Sequence, residues 1–79
     1  MHRDPLDSSF LASAGYLPEE RLLDVELRSQ EVYRYFDVPQ HTYGELLAAE
    51  SKGSYFNGYI RNGFRYQKLH PQSAVGAPV

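Results

Sequence analysis

Leu22-Leu23-Asp24-Val25-Glu26-Leu27-Arg28-Ser29-Gln30-Glu31-Val32-Tyr33-Arg34-Tyr35-Phe36 is the stretch whose pattern decides the fold. Leu23, Val25 and Leu27 alternate with Asp24 and Glu26, the period of a strand with one buried and one wet face. Arg28 to Glu31 form a polar break, and Val32 to Phe36 follow as a β-branched and aromatic run. Together they predict an antiparallel hairpin. Toward the N-terminus, Phe10 to Tyr16 reads as a further strand closing at Gly15, with Leu17-Pro18-Glu19-Glu20 as the intervening turn. Residues 1–8 mix charges with Pro5 and serines without a period and predict a flexible arm.

Toward the C-terminus the chemistry changes at Asp37-Val38-Pro39-Gln40 to that of a helix entry, with a capping acid and a proline tolerated in the first turn. A helix to about Glu50 would carry Tyr43, Leu46 and Leu47 as its apolar stripe. Gly53 would close it as a left-handed cap, and Ser54 would cap a shorter helix bearing Tyr55, Phe56, Tyr59 and Ile60, stopped by Asn62 and Gly63. Phe64 to Leu69 returns to strand character, and residues 70–79 are too poor in large apolar anchors to offset their ordering entropy, which predicts a disordered tail. The expectation is an α+β, two-layer domain over residues 9–69. It has an antiparallel sheet of about four strands and two short helices on one face, in the order β-β-β-α-α-β, and is a monomer.

Composition narrows the function. The chain has 79 residues and no cysteine, so neither a disulfide framework nor a cysteine zinc site is available, and a small apolar core must suffice. No apolar run reaches the roughly 18 residues of a membrane span, and the polar start is unlike a secretory leader; a cytoplasmic protein is expected. Net charge is −2. Residues 1–50 hold four basic and ten acidic side chains, whereas residues 51–79 hold Lys52, Arg61, Arg65 and Lys68 and no acid. Either the halves neutralise each other in the fold, or the second half presents a basic surface to a partner.

In that order, Val32-Tyr33-Arg34-Tyr35-Phe36-Asp37-Val38-Pro39, Ser51-Lys52-Gly53-Ser54-Tyr55-Phe56-Asn57, Ile60-Arg61 and Phe64-Arg65-Tyr66 resemble the KTSC domain. The resemblance spans Ser8 to Leu69 and is most specific from Ser51 to Arg61. Phe64 stands where the family has the first tyrosine of a Tyr-x-Tyr, and Gln30 where the hairpin turn often has glycine. The family is named for its occurrence at the C-terminus of some lysyl-tRNA synthetases and also occurs as small free-standing bacterial proteins. That context implies RNA or tRNA binding without establishing an activity.

Tyr33, Tyr35, Phe64 and Tyr66 would suit a base-stacking platform. Alternation puts Arg34 and Arg65 on the opposite face, however, and a buried unpaired guanidinium is costly. The aromatic face is therefore expected to be core, with Arg34 and Arg65 paired to Asp24 and Glu26 on the wet face. The candidate binding residues are Lys52, Ser54, Asn57, Arg61 and Lys68, a basic helix-start site for an anion or RNA phosphate. The bland alternative has Ser54 only capping its helix, Asn57 only tying a loop, and Arg61 paired with an acid such as Asp37. Catalysis is not expected. His2 and His70 lie in the ends, His41 stands one turn before Glu45, and no metal spacing, cofactor motif or activated nucleophile is present. The reading is a small non-catalytic binding module, for RNA through the basic site. The alternative is a protein-interaction module, suited by Tyr16, Tyr55 and Tyr59.

Overall fold

The computed structural model describes residues 3–69. Five strands form one antiparallel sheet in the order β1-β2-β3-β4-β5: Asp4–Pro5, Leu11–Leu17, Leu22–Leu27, Val32–Tyr35 and Tyr66–Leu69. Between β4 and β5 the chain leaves the sheet for α1, Gln40–Ala48, and α2, Lys52–Tyr55, whose axis runs on as a π-helical turn, Phe56–Ile60. It then returns antiparallel beside β4. The α+β architecture is as expected, but the order is β-β-β-β-α-α-β. The added strand comes from the supposed N-terminal arm: Asp4 pairs with Ala14 and Pro5 with Ser13, and Leu6 is buried. The expected tail, residues 70–79, lies outside the described residues.

The inner sheet face carries the core. Leu23, Val25 and Leu27 meet Leu11 and Ala14 of β2, Tyr35 of β4, and Val38, Leu46, Phe56 and Ile60 from the helical layer. Leu11 and Ala14 are an odd number of residues apart and would face opposite ways in a regular strand. A register shift between Leu11 and Ser13 turns both inward, opposite Leu27 and Val25.

On the outer face, register places Asp24 beside Arg34, and the guanidinium donates twice to the buried carboxylate, at 2.8 and 3.0 Å. That pair was legible from alternation. Arg65 does not join it. Residue 65 precedes β5, so its side chain instead lies 4.8 Å over the Phe36 ring and 3.8 Å from Asp37, while Glu26 accepts a bond from the Ser13 hydroxyl.

The helix boundaries differ from expectation for backbone reasons. Asp37 is not a cap: it turns the chain out of β4 at φ 58°, and α1 starts behind Pro39 with no side-chain cap. Gly53 is inside α2, pressed on Phe10, where a Cβ would stand 3.2 Å from that residue's own Cβ. Ser51, not Ser54, is the cap, its hydroxyl accepting the Ser54 N–H at 3.3 Å. On α1, Thr42 and Leu46 face the core, and Leu47 is 41% exposed.

Candidate functional site

The five residues expected to form one basic site are distributed over the molecule. Lys52 begins α2 and folds back to donate to the Ala49 carbonyl at 3.2 Å. Ser54 contributes its amide to the Ser51 cap. Arg61 follows the π-helical turn, a separation from Lys52 of roughly 13 Å along a helix rising 1.5 Å per residue. Its Nη1 donates to the Asn57 Oδ1 at 3.1 Å; Asp37, its partner in the bland alternative, lies instead against Arg65, and Lys52 is too far along the helix to share an anion with it. Lys68 donates to Glu31 at 2.9 Å, which holds the Glu31 carboxyl below its ordinary range and lifts the Lys68 ammonium above its own. The depression beside Lys52, about 230 Å³, is lined by Asp7 and Glu50 as well as Ser8, Ser9 and Ser51. Two carboxylates against one ammonium disfavour a phosphate there.

The Arg61 end of the helical layer differs. Alternation puts Tyr33 and Tyr35 on the inner face, and register sets Tyr66 opposite Tyr35 and Lys68 opposite Tyr33. The helical layer covers Tyr35, which is 2% exposed, but turns away after Ile60, so Tyr66 remains 54% exposed. Between them lies a cavity of about 80 Å³ walled by Leu27, Tyr33, Tyr35, Phe56 and Tyr66, with Arg61 and Asn62 at its exposed side. The rings touch edge to face: Tyr33 and Tyr66 centroids are 5.7 Å apart at 70°, and Tyr35 and Phe56 5.7 Å apart at 82°. Burial pushes the Tyr35 phenol up to about 12, against the opposing pull of Arg61, and the Tyr33 and Tyr66 phenols add to the rise. Its hydroxyl has no hydrogen-bond partner among the described residues.

Alternation identified the face that these tyrosines share, but not where the helical cover ends. The close of the helix depends on a π-helical turn and on Gly63, where a Cβ would come within 2.5 Å of the Tyr59 carbonyl oxygen. The Asn62-Gly63 stop was the available signal. Among the described residues no group of three or more potential ligands could hold a metal, and no helix is long and apolar enough to cross a membrane.

Comparison with known proteins adds the family. The KTSC domain model matches residues 7–66. An uncharacterized protein of Stutzerimonas stutzeri is 41% identical over 70 residues, covering 87% of this chain and 99% of that protein. A protein of Tsukamurella paurometabola is 39% identical over 61 residues, 77% of this chain and 91% of its own length. A lysine–tRNA ligase of Nostoc is 38% identical over 63 residues, which is 80% of this chain but 11% of the ligase. The crystal structure of a KTSC domain protein from Yersinia pestis superimposes with a TM-score of 0.83 at 37% identity, covering 86% of this chain and 96% of that one.

Proposed function

This chain belongs to the KTSC domain family, and on that premise we propose that it is a small non-catalytic module that binds RNA, tRNA included, in the cytoplasm. The contact surface is the open end of the aromatic face: Tyr66 and Tyr33 for stacking, Arg61 and Lys68 for phosphate, and Asn57 holding Arg61 in place. The observation that carries this reading is the half-exposed Tyr66 standing with Tyr33 beside a guanidinium that makes no ion pair among the described residues. Aromatic faces interleaved with cations are how single strands are held. The occurrence of a relative within lysine–tRNA ligases fits an accessory RNA contact. Lys52 and Ser54 are left out, because they lie away from the tyrosines and the depression beside Lys52 is lined by Asp7 and Glu50.

Fluorescence anisotropy with a labelled single-stranded RNA tests this. Arg61→Ala and Tyr66→Ala each weaken binding at least about fivefold, the scale of a lost stacking or charge-assisted contact, while Lys52→Ala leaves it unchanged. With two phosphate contacts, affinity falls about sevenfold from 50 to 200 mM salt. Loss from Lys52→Ala with none from Arg61→Ala overturns the surface. Absence of binding at low salt removes RNA altogether. The protein-interaction reading would then take precedence, resting on Tyr59, 67% exposed and lying 4.9 Å from the Tyr55 ring.

A further inference from the structure

We propose that the cavity over Tyr35 receives one unpaired pyrimidine base of the bound strand, edge first, with the Tyr35 hydroxyl donating to a ring carbonyl. The inference rests on the RNA reading above and names what part of the RNA the site takes. Its starting point is a buried polar group with no partner among the described residues. Tyr35 is 2% exposed, yet its hydroxyl is unpartnered among the described residues and stands at a cavity. Buried hydroxyls are nearly always satisfied, and a tyrosine serving only as core would be replaced by phenylalanine without loss.

The walls select the ligand. Leu27 and Phe56 supply apolar walls and Tyr33 and Tyr66 aromatic ones, a slot of mixed polarity suited to a flat ring with polar edge atoms. Arg61 at the exposed side disfavours a cation such as an ammonium head group and attracts the phosphate attached to an inserted nucleoside. The cavity is small, about 80 Å³, with room for a few waters or for the leading edge of one base. That space admits the leading edge of a six-membered ring, and a ring carbonyl on that edge, present in uracil and cytosine and absent from adenine, accepts from the Tyr35 hydroxyl. A base paired in a duplex presents no free edge of this kind, so the slot reads single strands.

Anisotropy titrations with nine-nucleotide rU, rC and rA oligomers and a nine-base-pair duplex, at low salt, test the proposal on the full chain. The pyrimidine oligomers bind more tightly than rA, and the duplex most weakly. Tyr35→Phe lowers rU and rC affinity about five- to tenfold, the range for one hydrogen bond, and leaves rA unchanged, so the pyrimidine-to-purine ratio collapses. Its melting temperature is not lowered, because the lost hydroxyl has no hydrogen-bond partner among the described residues. A ratio unaffected by Tyr35→Phe overturns the base slot while leaving surface RNA binding standing. No binding of any oligomer overturns both.

Discussion

Gln30 stands at φ 79°, in the left-handed region where a side chain costs roughly 1 kcal/mol and glycine nothing. The strain follows from the hairpin. The Leu27 carbonyl accepts the Gln30 N–H and the Leu27 N–H reaches the Glu31 carbonyl, each at 2.8 Å, which requires a turn whose last residue is left-handed before β4 begins. Gln30→Gly therefore raises stability by about 0.5–1 kcal/mol and the melting temperature by a few degrees, read by thermal circular dichroism. A lowered midpoint would show that the glutamine side chain supports the turn. The sequence pointed to this site through a glutamine standing in a glycine's place. It misled at Asp37, also left-handed at φ 58°, because an aspartate two residues before a proline suits a helix cap and a left-handed turn equally. Only the Val38 N–H bonding back to the Arg21 carbonyl at 2.9 Å distinguishes the two.

Among the elements, the strands of the hairpin were legible because period-2 alternation is long enough there to be unambiguous. The helical pair was legible in kind and not in its joints. Gly53 reads as a terminator only if its φ is positive, and no described glycine has a positive φ. Moving the cap to Ser51 has a measurable consequence: Ser51→Ala costs about 1 kcal/mol in urea unfolding, whereas Ser54→Ala stays within about 0.5 kcal/mol. The reverse ranking would restore the cap at Ser54. Beside the ladder that joins β5 to β4, Lys68 pairs with Glu31, an exposed pair with a definite pH window. The folded Glu31 carboxyl lies below its ordinary 4.5, so its contribution is complete above that value and is lost as pH falls through the lower folded one. The folded Lys68 ammonium lies above its ordinary 10.5, so its contribution is complete below that value and disappears as pH rises through the higher folded one. An NMR titration of the Glu31 carboxyl gives a midpoint below 4.5 that returns toward 4.5 in Lys68→Ala. An unmoved midpoint would separate the two charges in solution.

At the scale of the whole molecule, part of the asymmetric charge is paired between the two halves at the surface. Arg65 and Lys68, from the half without acids, lie against Asp37 and Glu31 of the other half, leaving Lys52 and Arg61 without ion pairs among the described residues. Composition alone left that choice open because it carries no register. It was equally silent about the N-terminal strand: β1 has two residues, too few for alternation to show, and Leu6 is a lone apolar residue among charges and a proline. In the folded chain Leu6 is 7% exposed within the core cluster. Its N–H donates to the Ala12 carbonyl at 2.9 Å, and its carbonyl accepts from Arg28 at 3.1 Å. A domain this small draws its stability from few buried side chains, so each is a large fraction of the total. Leu6→Ala removes about 2–3 kcal/mol and lowers the melting temperature by roughly 10–20 °C, at about 4–8 °C per kcal/mol for a domain of this length. A Leu6→Ala midpoint within a few degrees of the parent would return residues 4–6 to the arm that composition suggested and reduce the sheet to four strands in solution.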